Sequence, residues 1–327
     1  MNRRDFHKKS LQLSTLGLAS LSGLGFAAAW PEKSIKIILS HPPGSGPDNV
    51  ARVLFEGIAK KSGYNFILEN HPGGQNVIGA QYAARSEADG YNFYFGTPAA
   101  LIANPLLIKK LPYNPQNDFV GVAFIARSPF AILVNANSRL QSIQDLIVAA
   151  QSGNGKFSLG NEGPRTFTGM ISRLFNARSK ANCNLVSYTS IMMGVQDLLG
   201  NQIDALVADL ASTAQFVRQN KFKVLATASL NRSKGWENVP TLAETLPGFD
   251  MTGWFSVVAP KGAPQSILEQ MNQIINQTLM DKEIIERIAS IGPIVDSSMS
   301  VNQVNTFLKN EYQRWSSITT EIGVLPE

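Results

Sequence analysis

A chain of 327 residues, 44% hydrophobic and 16% charged, is long enough for one large or two ordinary domains, each with a buried core. Its net charge of +5 is concentrated at the start: residues 1–29 carry Arg3, Arg4, Lys8 and Lys9 against Asp5 alone, so the remainder is only +2, which argues against nucleic-acid binding. The single cysteine, Cys183, excludes an intramolecular disulfide and a cysteine metal cluster, and three histidines leave little for a zinc site or a Ser-His-Asp triad.

The first 29 residues read as a removable export signal. A charged start, "NRRDFHKKS", leads into a mildly apolar stretch and then "AAAW", an A-x-A cleavage pattern that places the cut after Ala29. Arg3 and Arg4 with Phe6 resemble a twin-arginine signal, although His7 stands where that motif usually has an apolar residue; an ordinary Sec signal is the alternative. No later stretch approaches the ~18 continuous apolar residues of a membrane span.

From residue 34 the chain alternates strand and helix. "SIKIILS" reads as a strand, and Val50, Val53, Leu54, Gly57 and Ile58 follow helical spacing after the loop "HPPGSGPDN". Pro47 suits a first helical turn and Asp48 its positive end. The strand "YNFILEN", the glycine loop "HPGGQNVIGA", a short Ala-rich helix and the strand "YNFYFGT", ending at Thr97, complete a β-α-β-α-β unit with a parallel sheet. At 120–135, "VGVAFIARSPFAILVN" is β-prone, broken at Ser128-Pro129, and long enough to cross between lobes.

A second α/β series follows: the helix "SIQDLIVAAQS", the strand "KFSLG", the loop "NEGPRT", and a helix with Phe167, Ile171, Leu174 and Phe175 on one face. The strands "NLVSY", "IDALVAD" and "KVLATA" alternate with further helices. "MTGWFSVVA" reads as a second crossing, and the C-terminal part is helical, its apolar faces expected to pack back on the first lobe. This pattern predicts an α/β protein of two lobes: 30–127 with 256–327, and 128–255. A ligand cleft is expected between them.

The loop after the first strand has G-x-G at Gly44 and Gly46, and Glu69 ends the next strand where a ribose-binding acid would sit. The dinucleotide fingerprint nevertheless fails, because Asn49 occupies the third glycine's place, and no lysine follows to make a phosphate-binding P-loop. Recognition of a carboxylate or amide by neutral donors at helix starts fits better, and each lobe offers such a start, "PPGSGPD" and "GNEGPRT". Asn76 and Thr97 end elements of the first lobe, where they either meet a ligand or serve as a helix cap and a strand end. Arg165 is placed to clamp a carboxylate or to remain a solvated arginine. Asp209 is placed to accept from a ligand amide, ammonium or hydroxyl, or to cap the next helix. Phe130, at the crossing, and Tyr188, at a strand end, carry the same two readings, ligand wall or packing.

The segments "WPEKSIKIILSHPPGSGPDNVAR", "ILENHPGGQNVIGA", "ADGYNFYFGT", "ANPLLIKKLPYNPQNDFVGVAFIA", "DLLGNQIDALVAD", "VPTLAETLPGFD" and "WFSVVAPKGAP" together resemble the Bug-type extracytoplasmic receptors of the tripartite tricarboxylate transporter family, in collinear order over the chain after residue 29. The resemblance implies a two-lobed periplasmic binding protein fold, type II-like, with two crossover strands and a C-terminal helical segment on lobe one. It implies a periplasmic receptor that closes over a small organic acid or related amide without turnover, and delivers it to a membrane permease of one large and one small subunit. A monomer with no metal or organic cofactor is expected. Ligand contacts are implied for Gly44, Ser45, Gly46, Asn76, Thr97, Asn161, Thr166 and Asp209, with His41, Pro43, Phe130, Arg165 and Tyr188 completing the candidate set. His41, the "PRT" of the second loop and "SYTS" at 187–190 depart from the family's usual residues, and Arg165 suggests a relocated positive charge that selects a second acidic group or an aromatic acid. A sensory receptor presenting its ligand to a membrane kinase, or an exported enzyme using Asp209 or His41 as a base, are the readings from other classes.

Overall fold

The computed structural model of the protein describes residues 30–295 and 298–326, so the proposed export signal at 1–29 lies outside the described residues. The chain divides into Met1–Lys33 and Ser34–Glu327, and the architecture below belongs to the second unit. Two five-stranded sheets organise it.

Strand β1 (Ile35–Leu39) is a continuous apolar run with Ile35, Ile37, Ile38 and Leu39 fully buried, the pattern of a central parallel strand covered on both faces. Helix α1 (Gly46–Ser62) buries Val50, Ala51, Leu54, Phe55 and Ile58 against the sheet and stops at Gly63 in the left-handed conformation (φ 74°). Strand β2 (Phe66–Asn70), helix α2 (Val77–Ala84) and strand β3 (Asn92–Gly96) follow, and β2-β1-β3 form a parallel trio. A π-helical turn at Ala99–Ala103 and the short helices α3 (Asn104–Leu107) and α4 (Pro115–Asp118) lead to β4 (Phe119–Ser128).

Pro129 ends β4, because it has no N–H to continue the ladder, and β5 (Phe130–Asn135) starts in the other sheet. There, helix α5 (Ile143–Ser152), β6 (Ser158–Asn161), α6 (Phe167–Ser179), β7 (Asn184–Ser187), α7 (Ile191–Leu199), β8 (Ala205–Asp209), α8 (Leu210–Arg218) and β9 (Phe222–Thr227) repeat the plan of the first sheet. Strands β7-β6-β8 are parallel, whereas β5 pairs antiparallel with both β8 and β9. After α9 (Leu242–Thr245) the chain returns through β10 (Gly253–Pro260), which lies antiparallel between β3 and β4. Each sheet thus has the order parallel trio, arriving strand, departing strand, and each arriving strand has come from the other sheet.

The C-terminal helices pack on the first sheet, as the sequence led one to expect. Helix α10 (Gln265–Thr278) lies on β4 and α1, α11 (Lys282–Ile291) lies on α1, and α12 (Val301–Glu321) lies on β4 and the π-helical turn. Buried Trp254 of β10 donates its indole N–H to Glu311 of α12 at 2.9 Å, and Glu311 in turn pairs with Arg314 at 2.8 Å. Helix α12 also reaches the second sheet: Trp315 packs at a tilt against Phe167 of α6 with ring centroids 5.0 Å apart, and Arg178 donates to both carboxylate oxygens of Glu321 at 2.9 Å. The two-lobed periplasmic binding protein fold is therefore built by two strand crossings and braced by one long helix.

Candidate functional site

The loop after β1 is shaped by Asp48. Its carboxylate accepts from Gly44 N–H (2.8 Å), Asn70 (2.8 Å) and Arg52 (2.8 and 3.0 Å), and Asn70 also donates to the His41 carbonyl (2.9 Å). Burial opposes the charge of Asp48, but the hydrogen bonds from Arg52, Asn70 and Gly44 outweigh it and hold the carboxyl below its ordinary range. The Gly44 amide is thereby spent inside the loop. Ser45 is the N-cap residue of α1, so Gly46 N–H and Asp48 N–H, with Pro47 between them, are the donors that helix geometry leaves without intrahelical partners.

In the second sheet the loop after β6 is closed by its own side chains. Asn161 accepts from Gly163 N–H (2.8 Å), Thr166 caps α6 by accepting from Gly169 N–H (3.1 Å), and the Thr166 hydroxyl donates to the Gly163 carbonyl (2.8 Å). Gly169 is required by space, since a Cβ there would lie 1.8 Å from the Gly163 oxygen. Asp209 ends β8 and caps α8, accepting from Ser212 N–H (2.8 Å) and the Ser212 hydroxyl (2.6 Å).

These loops stand at the carboxyl ends of parallel strands in both sheets, around a cavity of about 390 Å³. That volume is at the lower end of the range for small-ligand sites, ~300–1,000 Å³. His41, Ser45, Gly46, Asn76 and Thr97 line it from the first sheet; Phe130, Arg165, Thr166 and Asp209 line it from the second. The other four candidates stand behind the wall or outside it. Pro43 is exposed beside the loop, Gly44 (φ 80°) turns it, Asn161 is 1% exposed and serves the Gly163 turn, and Tyr188 packs on Gly160 and Gly194 while donating to Asp197 at 2.7 Å. Phe130 packs at a tilt against Phe167 with ring centroids 4.5 Å apart, and Gly253 passes so close that a Cβ there would meet the Phe130 ring at 2.7 Å and the Ser128 carbonyl at 2.8 Å. The two crossings consequently form the floor of the cavity.

The pattern that defines the tripartite tricarboxylate transporter family receptor matches residues 50–324. Protein BugT of Bordetella pertussis is 30% identical over 315 residues, covering 95% of both chains, and a UPF0065 protein of Pseudomonas sp. (strain P51), from the tcbD-tcbE intergenic region, is 28% identical over 90% of this chain and 87% of its own. The chain belongs to the tripartite tricarboxylate transporter family of receptors. Among solved structures, R. palustris Rpa4515 with adipate superposes with a TM-score of 0.82 at 25% identity, covering 91% of this receptor and all of that chain. The periplasmic binding protein BugD superposes with a TM-score of 0.77 at 24% identity, again over 91% of this receptor and all of that chain.

Two buried polar atoms of the receptor's cavity wall have no hydrogen-bond partner among the described residues: Thr97 Oγ1, on a residue 6% exposed, and His41 Nδ1. Burial lowers the His41 imidazole to about 4, against a smaller opposing pull from Asp48, so at neutral pH it is an uncharged donor and acceptor. Gln75, Asn104 and Glu162 are among the wall residues that escaped the sequence reading. Gln75 (φ 54°) and Asn76 (φ 74°) are consecutive non-glycine residues in left-handed backbone, held by Asn104, which donates to the Gln75 carbonyl at 2.9 Å. Asn104 lies 28 residues beyond Asn76, at the start of the four-residue helix α3 just after the π-helical turn, and so short an element has no periodic signature to point to it. The third, Glu162, was legible only as part of the loop "GNEGPRT".

Proposed function

We propose that this receptor captures a small organic acid in the cavity between its two sheets and yields it chemically unchanged to the membrane components of a tripartite tricarboxylate transporter. The observation that carries the reading is the meeting of two helix starts, α1 from one sheet and α6 from the other, over a cavity whose buried Thr97 hydroxyl is unpartnered. Helix N-termini favour anions through their unpaired N–H groups and positive dipole ends. Gly46 N–H, Ser45, Thr97 and Asn76 receive a carboxylate from one side, and Thr166 with Arg165 closes on the ligand from the other. Closure is favoured because only the closed form contacts the ligand from both lobes.

The lobes assigned are 30–127 with 256–327, and 128–255. Export with cleavage after Ala29, a monomeric mature chain, and delivery to a permease of one large and one small subunit complete the proposal. A relative solved with adipate makes dicarboxylic acids the first ligands to try. Native mass spectrometry of the purified protein, followed by a thermal-shift screen of organic acids on stripped protein, tests it. An intact acid retained or stabilising is expected; an altered product released by the protein would establish an enzyme and remove the proposal.

A further inference from the structure

The cavity is better supplied with negative charge than a receptor for plain acids requires. Glu162 and Asp209 both line it, Glu162 from the loop after β6 and Asp209 from the end of β8. Arg165 is the one lysine or arginine among the described lining residues, and His41 is neutral at pH 7. Among the described residues, the groups acting on the two carboxyls are hydroxyls, backbone N–H groups and, for Glu162, the charge of Asp209, with no lysine or arginine among them.

Capping alone does not account for this pair. Asp209 does cap α8, but a neutral Asn or Ser fills an N-cap as well, without burying a charge. The backbone of Ile191, at the start of α7, favours the charged form of Glu162, but that helix already has its cap in Ser190. Two half-buried carboxylates lining one cavity repel one another and lose part of their hydration, which favours a cation that enters between them. Burial raises both carboxyls above their ordinary range, and the nearby Asp209 raises Glu162 further. A third wall group independently points to a ligand: Thr97, 6% exposed, has an unpartnered Oγ1 on the opposite side of the same cavity.

Building on the receptor reading above, we propose that the ligand carries a protonated amino group beside its carboxylate, the amino group seated against Glu162 and Asp209 and the carboxylate against Thr97 and the start of α1. The preferred substrates are then amino acids rather than simple dicarboxylic acids. An ammonium supplies three charged donors to acceptors whose other partners are neutral, and its charge offsets the repulsion of the pair. A ligand lacking it leaves the two half-buried carboxylates repelling one another with only neutral donors beside them, the kind of mismatch that gives discrimination.

Calorimetry on the purified full chain, stripped of retained ligand, tests this with matched pairs that differ only in the amine: succinate and aspartate, glutarate and glutamate, adipate and 2-aminoadipate. At least one amino acid is expected to bind ten-fold or more tightly than its deaminated partner, and Glu162→Gln is expected to reduce that ratio by ten-fold or more. Because the wild-type comparison needs no variant, misfolding of Glu162→Gln would not rescue or sink the result. Diacids binding as tightly as, or more tightly than, their amino counterparts would overturn the inference and leave the acid receptor standing. Binding of no member of any pair would overturn the inference, and failure of the wider screen of organic acids would overturn the receptor reading as well.

Discussion

His41 is the side chain whose environment differs most from that of an ordinary histidine. It is held in the loop after β1 with Nδ1 buried and unpartnered, and burial keeps it neutral until the pH approaches about 4. The unfolded imidazole titrates near 6.5, so protons bind the unfolded chain first. The stability this group confers is full above pH 6.5 and falls as the pH drops toward 4, by up to about 3 kcal/mol. Urea unfolding at pH 7.5 and 4.5 is expected to show a smaller loss for His41→Asn than for the wild type; equal losses would mean that His41 is not buried neutral. Gly169 offers a steric test at the same scale. Its missing side chain admits the Gly163 carbonyl at a distance no Cβ tolerates, and Gly169→Ala is expected to cost about 2–3 kcal/mol in thermal unfolding, with an accompanying fall in ligand affinity.

Among the elements, the start of α1 matters most, because its loop amides face the cavity. The sequence shows a glycine loop before a helix and an acid in the first turn, and both are present in the structure. What the sequence does not show is that the acid turns inward: Asp48 binds Gly44, Arg52 and Asn70 at once, tying α1, the loop and β2 together. Asp48→Asn is expected to destabilise by about 2 kcal/mol, moderated because Arg52 is half exposed. It should also weaken ligand binding more than a surface change of the same charge, as calorimetry with the retained ligand would reveal. Since the Asp48 carboxyl is depressed, its contribution is present above its unfolded value near 3.9 and disappears as the pH falls below it; Asp48→Asn is expected to lose that acid sensitivity.

For the whole molecule, the decisive feature is α12, which lies on the first sheet yet holds the second through Trp315 on Phe167 and Arg178 on Glu321. Contacts that join the two sheets in this way are expected to limit how far the lobes part. Arg178→Met is expected to leave unfolding stability within about 1 kcal/mol of wild type, as partly exposed ion pairs usually do. It should nevertheless enlarge the radius of gyration of ligand-free protein in small-angle scattering; an unchanged radius would remove the brace. Parallel trios and crossing strands were legible in the sequence because apolar runs such as "IKIIL" and the break at Pro129 are local signals. The antiparallel insertion of β10 between β3 and β4 was not, because nothing near Gly253–Pro260 encodes its neighbours.

The sequence by itself determined the α/β alternation, the two helix starts, the crossings and the family, since hydrophobic periodicity, glycine and proline act over a few residues. Only the tertiary structure decided which residues share the cavity. Asn104 reaches back to the Gln75 carbonyl, Asn161 and Tyr188 turn into the fold, and Glu162 lies within electrostatic reach of Asp209, 47 positions later in the chain. Such meetings are fixed by sheet order and packing, which bring distant segments together at strand ends, and no local pattern records them.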